Sequence, residues 1–118
     1  MPTYVTCAYT TVDMTDDNLI VPSIAYVGDS LAEAAGTLTK QIEDNCANLV
    51  ELEDSFWLYC IGPDVSEEFR IKEGERRKLA DAIQELSDGL TSGKFHTIDC
   101  QVFVDGSFYH DVYSIVAK

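Results

Sequence analysis

Basic side chains are what this chain most lacks: Lys and Arg number 8 against 21 Asp and Glu in 118 residues, a formal net charge of −13. Phosphates dominate affinity for nucleic acids and anionic lipid surfaces, so such a chain is repelled by both, and basic proteins are the partners its charge favours. No apolar run approaches the roughly 18 residues needed to span a bilayer. The start, Met1-Pro2-Thr3, has neither the basic nor the apolar region of a secretion signal. Cys7, Cys46, Cys60 and Cys100 form no C-x-x-C, and each lies in an apolar segment where a reduced thiol serves as a small hydrophobe. These features predict a cytoplasmic protein with no obligatory disulfides.

Motifs for common chemistry are also missing. The only histidines are His96 and His110, and no cysteine pair has zinc-finger spacing. The glycines never approach G-x-G-x-x-G or G-x-x-x-x-G-K, and neither G-x-S-x-G nor H-E-x-x-H occurs. Asp13, Asp16 and Asp17 lack the spacing and terminal Glu of a calcium-binding EF-hand loop, so they read as a solvated turn. No cofactor or metal is expected, and the common enzyme classes are disfavoured.

What remains is a normal supply of core-forming residues. Hydrophobic residues make up 46% of the chain, and five Phe, six Tyr and one Trp are too many for a disordered acidic chain. At this length one core is expected, so residues 1–118 read as a single domain. The charge is polarised along it: residues 1–69 hold thirteen acidic side chains against Lys40 alone, a net of −12, while residues 70–118 hold eight acidic and seven basic, a net of −1.

Residues 4–12 mix Tyr, Val and Thr without a breaker and predict a strand. After a turn at 13–18, residues 19–27 predict a second strand, in which Pro22 calls for an edge position or a bulge and which Gly28 closes. Ser30-Leu31-Ala32-Glu33 is a capping box, in which hydroxyl and carboxylate each satisfy a free N–H at a helix start. Leu31, Ala35, Leu38, Ile42, Cys46 and Leu49 give that helix one apolar stripe, with an end at Asn45 or Asn48. The run 56–61 suits a central strand buried on both faces. A short strand at 68–72 and a helix over 74–91 follow, the helix closing near Gly89 and Gly93.

The end of the chain predicts a hairpin of 97–104 and 107–116. A two-residue Asp105-Gly106 loop pairs Val104 with Ser107 and puts the apolar sets of the two strands on opposite faces. A three-residue loop pairs Phe103 with Ser107 and unites them, which is the register the sequence favours. The expected fold is therefore α+β: a mostly antiparallel sheet of about five or six strands with two helices on one face. The order of the middle elements suggests a ferredoxin-like split βαβ unit with extra N- and C-terminal strands.

The favoured register sets Cys100 opposite His110 and Asp99 opposite Asp111. A thiol beside an imidazole is a nucleophile arrangement, but both lie on the core side with no orienting group, so a structural role is expected. Asp99 and Asp111 beside Tyr109 and Tyr113 predict an exposed acidic-aromatic patch. Arg76, Arg77 and Lys78 lie among acids and read as a self-paired helix face with Glu73–Arg77 and Lys78–Asp81 contacts. Alternatively, this basic patch meets the acidic half of another copy in a homodimer.

The leading functional expectation is a non-enzymatic binding protein that occupies a basic surface, such as that of a nucleic-acid-binding protein or nuclease. Glu33, Glu43, Asp44, Glu51, Glu53 and Asp54 would stand in for phosphates there, with the patch at Asp99, Tyr109, Asp111 and Tyr113 as a second contact. In composition alone the chain resembles small acidic inhibitors carried by phages or mobile elements, which implies competition with nucleic acid. The alternatives are a small structural or assembly domain whose acidity serves solubility, and a small enzyme using Cys100 and His110.

Overall fold

A computed structural model describes residues 2–12 and 23–118. The turn expected at 13–18, the Asp13, Asp16 and Asp17 cluster, and residues 19–22 of the strand expected at 19–27 lie outside the described residues; of the remaining five, Val27 alone belongs to a strand and Ser23 makes an isolated bridge to Ala8. Among the described residues six strands form one sheet in the order β2-β1-β6-β5-β3-β4, every neighbouring pair antiparallel. They are β1 (Tyr4–Val12), β2 (Val27–Gly28), β3 (Ser55–Ile61), β4 (Ser66–Lys72), β5 (Thr97–Val104) and β6 (Ser107–Ala117), with helices α1 (Leu31–Leu52) and α2 (Arg76–Ser92). The α+β class and single compact domain are as expected.

One part of the split βαβ order is present. β4 and β5 are both antiparallel to β3, which lies between them, so β4-α2-β5 is a parallel crossover with one strand inserted. Around α1 the insertion is larger: β1, β6 and β5 all separate β2 from β3. The first and last strands thus pair with each other inside the sheet instead of extending its edges.

Ser30 caps α1 as its sequence requires, its Oγ accepting from the Glu33 N–H at 3.1 Å. The reciprocal bond is made differently, because the Ser30 N–H donates to the Tyr26 hydroxyl at 3.1 Å. α1 does not stop at Asn45 or Asn48. It continues to Leu52, burying Ala34, Ala35, Leu38, Ile42, Cys46 and Val50 on one side. α2 ends at Gly93, whose φ of 82° is the left-handed conformation that closes a helix cheaply only for glycine. Gly89 lies inside α2, where a Cβ would come within 2.1 Å of the Phe95 ring, so its role is close packing and not termination.

The hairpin departs from the favoured register. Val104 pairs with Ser107, and the two loop residues Asp105 and Gly106 have φ of 50° and 85°. Positive φ at both positions is the I′ turn that matches strand twist, and Asp-Gly is a preferred sequence for it. Local turn chemistry therefore overrode the tendency to gather both apolar sets on one side. Those sets face opposite ways, and β3 is buried on one face only, alternating down its length.

The core lies between the helices and one sheet face. Phe56, Leu58, Cys60, Ile71, Ile98 and Cys100 reach it from the strands and meet Leu38, Ile42, Leu86 and Leu90.

Candidate protein-binding face

The side chains that alternate with the core residues form a second sheet face that neither helix covers. Strand pairing arranges it in rows. At the hairpin end Lys72, Ser55, Phe103 and Phe108 are neighbours across β4, β3, β5 and β6. Next come Arg70, Trp57, Gln101, His110 and Thr11, then Glu68, Tyr59, Asp99, Val112 and Tyr9, then Ser66, Ile61, Thr97, Ser114 and Cys7. Val116 and Val5 complete the far end.

An antiparallel sheet with one solvated side normally alternates apolar inside with polar outside. This one carries an aromatic cluster outside. Phe103 and Phe108 lie 4.8 Å apart between ring centroids, and Trp57 lies 6.4 Å from Phe108. Arg70 places its guanidinium carbon 5.5 Å from the Trp57 ring centroid, a cation–π distance. Phe103 is 50% exposed, Phe108 41% and Val116 44%.

A polar group sits in the middle of this face. Gln101 Nε2 donates to Asp99 Oδ2 at 3.0 Å, and His110 Nδ1 lies 3.5 Å from the same carboxylate. Asp99 Oδ1 is buried and makes no hydrogen bond among the described residues, His110 Nδ1 lying 3.5 Å from it as well. Burial holds the Tyr59 hydroxyl above its ordinary pKa, helped by the charges of Glu68 and Asp99 and by a hydrogen bond to Glu68. Among the described residues the charge on the face balances, Arg70 and Lys72 against Glu68 and Asp99, in a chain whose overall charge is −13.

The observed register separates the residues expected to act together. Cys100 pairs with Asp111, and His110 pairs with Gln101 on the opposite face. Cys100 is fully buried, and a hydrogen bond with Cys46, burial and the nearby Asp111 and Asp99 charges push its thiol well above the ordinary range. It has neither the base nor the access of a nucleophile.

The acidic-aromatic patch is likewise not assembled. Asp99 lies on the open face opposite Val112, whereas Tyr109, Asp111 and Tyr113 lie on the helix-covered side. Tyr113 is buried, and burial with the Asp111 charge raises its hydroxyl pKa, against a hydrogen bond from Asn45 that lowers it. Both Asp111 oxygens are occupied within the chain, by Thr10 Oγ1 at 2.6 Å and Asn45 Nδ2 at 3.0 Å.

The remaining sequence-nominated acids follow α1 and its exit. Glu33, Glu43, Asp44 and Glu51 are exposed, Glu53 is the half-buried C-cap and Asp54 is exposed beyond it. Glu33, Asp44 and Glu51 are separated by eleven and seven residues, near-integral numbers of turns, so they follow one line. Two are partly neutralised locally: Lys40 reaches Asp44 at 3.9 Å and Arg76 pairs with Glu51. The Arg76 pairing replaces the expected Glu73–Arg77 contact, because Glu73 precedes α2.

Reading the run 56–61 as buried on both sides conceals Trp57, and the favoured hairpin register sets Phe108 on the core side, away from Phe103, with which it pairs in the structure. The signal was present in the hairpin, where two apolar sets of opposite parity flank Asp-Gly.

Among the described residues no group of three or more His, Cys, Asp or Glu has metal-binding geometry, and no helix is long and apolar enough to cross a membrane. An apolar hollow of about 160 Å³ between Leu31, Leu90, Phe95 and Ile115 has one titratable neighbour of note, His96, which is exposed and bonded to Thr97. Comparisons with protein-family models, curated proteins and solved structures find no match for this chain.

Proposed function

We propose that this chain is a non-enzymatic protein-binding domain whose binding surface is the sheet face that neither helix covers. The observation that carries the reading is the Trp57, Phe103 and Phe108 cluster standing outside the core on regular strands. Contiguous exposed apolar area of this kind is characteristic of interfaces, and aromatics beside an Arg are the side chains that dominate interface energies. Covering it recovers about 25 cal/mol for each Å² of apolar surface removed from water. The separation of Cys100 from His110 supports a non-enzymatic role.

The test compares the native chain with Phe103→Ser/Phe108→Ser as bait in an extract. Loss of specifically retained protein from the double variant, with an unchanged circular dichroism spectrum, is the expected result. Identical retained sets from both baits, together with an oligomeric state that the double variant leaves unchanged, overturn the reading.

A second reading is favoured by the line of Glu33, Asp44 and Glu51, which spans about 27 Å of helix at 1.5 Å per residue. Here these acids, with Glu43, Glu53 and Asp54, meet a basic surface on a nucleic-acid-binding protein or nuclease in the cytoplasm. The chain then acts as an inhibitor that mimics DNA, of the type phages carry. Replacing Glu43, Asp44, Glu51 and Asp54 by Lys abolishes capture of a basic partner under this reading and leaves capture by the sheet face intact.

A further inference from the structure

We propose that the occupant of the sheet face that neither helix covers is a second copy of this chain, the two sheets stacking face to face about a two-fold axis that sets Arg70 of each against Glu68 of the other. This deepens the reading of the face as a protein-binding surface and rests on it.

Three features favour a second copy. The first is charge. Two chains of −13 repel, yet the described residues of the open face balance their own charges, and the two-fold arrangement sets Arg70 against Glu68 and not like against like. Stacked sheets lie about 10 Å apart. The helix layers are then on the far sides of both sheets, separated by well over the Debye length of about 8 Å at physiological salt.

The second is size. Strands β1, β6, β5, β3 and β4, about 4.8 Å apart and rising about 3.3 Å per residue, make a face of about 24 by 25 Å. That is about 600 Å² of plane per copy, and the side chains standing on it raise the accessible area toward the roughly 800 Å² per partner of a standard interface.

The third is self-complementarity. An axis in the interface, running across the strands between the Arg70 row and the Glu68 row, lays each strand over its own counterpart in the opposite direction. Arg70 then faces Glu68 twice, once in each direction, as a two-fold interface requires. Gln101 falls over the partner copy's Asp99, whose buried Oδ1 makes no hydrogen bond among the described residues of its own chain and has His110 Nδ1 3.5 Å away. Phe103 and Phe108 fall over the row of Thr97 and Ser114, beside Ile61 and Cys7.

The experiment is sedimentation equilibrium of the full chain from about 1 to about 100 µM, a range that brackets micromolar dissociation constants. Fluorescence of Trp57 is followed in parallel, since it is the sole tryptophan and lies on the face in question. The expected result is a mass twice 13.1 kDa at high concentration, with Trp57 emission moving to longer wavelength on dilution and little dependence on salt.

Arg70→Glu places carboxylates against Glu68 and weakens association at least roughly tenfold, and Arg70→Glu/Glu68→Arg restores it. A monomer at every concentration overturns the proposal. So does a dimer that Phe103→Ser/Phe108→Ser leaves intact, or one in which the charge exchange fails to rescue. If the chain is monomeric but the double Phe variant still loses protein from an extract, only the identity of the occupant fails and the binding-face reading stands. If that variant changes neither, both fail.

Discussion

The two faces of the sheet are built from alternating residues of the same strands and differ in what stands over them. On the helix side Phe56, Leu58, Cys60, Ile98 and Cys100 are fully buried. On the other side Trp57, Tyr59, Ile61, Asp99 and Gln101, their neighbours in sequence, are half-buried. The difference is not one of polarity alone, since the open side has its own aromatic cluster. It teaches that apolar content in these strands exceeds what one core requires, and that the excess is gathered on a single second surface. The acids gather elsewhere, along the solvent side of α1.

The largest effect expected from this contrast is at Leu58. Leu58→Ala removes a fully buried side chain from the core and costs about 2–5 kcal/mol in chemical denaturation. Phe103→Ala, on a half-exposed ring, costs under about 1 kcal/mol in dilute protein. Comparable losses at the two positions would show that the open face is already covered within one chain.

Thiol chemistry separates the faces next. Burial, aided by Glu67 and Glu85 and opposed by Lys94, pushes the Cys60 thiol up to about 12, and Cys100 is also raised. Between the ordinary thiol pKa near 9 and these values the folded chain holds protons that the unfolded chain has released. Stability is therefore complete below about pH 9 and falls as pH rises toward about 12, by up to roughly 1.4 kcal/mol per pH unit for each such thiol. Urea titrations across this range give the slope; stability that rises there contradicts the burial. In dilute protein at neutral pH an alkylating reagent modifies the half-buried Cys7 first, and the buried Cys46, Cys60 and Cys100 only upon unfolding.

Most of the helix-covered face was legible in the sequence and most of the open face was not. The stripe of Ala35, Leu38, Ile42 and Cys46 and the cap at Ser30 identified α1, because a 3.6-residue period and a hydroxyl at the helix start have few other causes. Its end was missed, since Asn45 is occupied by Asp111 and the helix runs on past it. The open face was hidden by its own composition: a strand apolar on both sides reads as a buried strand whether or not both sides are covered. In the hairpin a preference for one united apolar face outweighed the Asp-Gly signal. That choice displaced Asp111, Tyr109 and Tyr113 to the wrong side and created a Cys100–His110 pair that does not exist. The acids of α1 were correctly placed at the surface, but the pairing of Glu51 with Arg76 depends on a tertiary contact that sequence spacing does not encode.

A smaller effect tests the covered side at its outer margin. Among the described residues Thr6 is the one buried polar residue, and its Oγ1 accepts from the Tyr26 N–H at 3.0 Å and the Ala25 N–H at 3.3 Å. Thr6→Val keeps the shape but strands both donors, at about 1–3 kcal/mol. The loss is accompanied by faster amide exchange at Tyr26, because these bonds tie the segment before β2 to β1. Unchanged exchange would mean that water or another acceptor satisfies those groups.

The smallest effects bring the contrast down to single methyl groups on the helices. Gly36 lies exposed in α1, and a Cβ there meets nothing within 4 Å. Gly36→Ala therefore gains most of the roughly 1 kcal/mol by which alanine exceeds glycine in a helix interior. Gly89→Ala earns the same propensity on the inner side of α2 but drives its Cβ to 2.1 Å from the Phe95 ring, a strain of about 1–3 kcal/mol. The net is a loss, and shrinking the ring with Phe95→Leu in the Gly89→Ala background recovers part of it. Opposite signs from the same substitution follow only if α2 is pressed onto the sheet at Phe95 while that side of α1 stands free; equal signs in the two urea titrations would remove the distinction between inner and outer helix surfaces on which the assignment of the covered face depends.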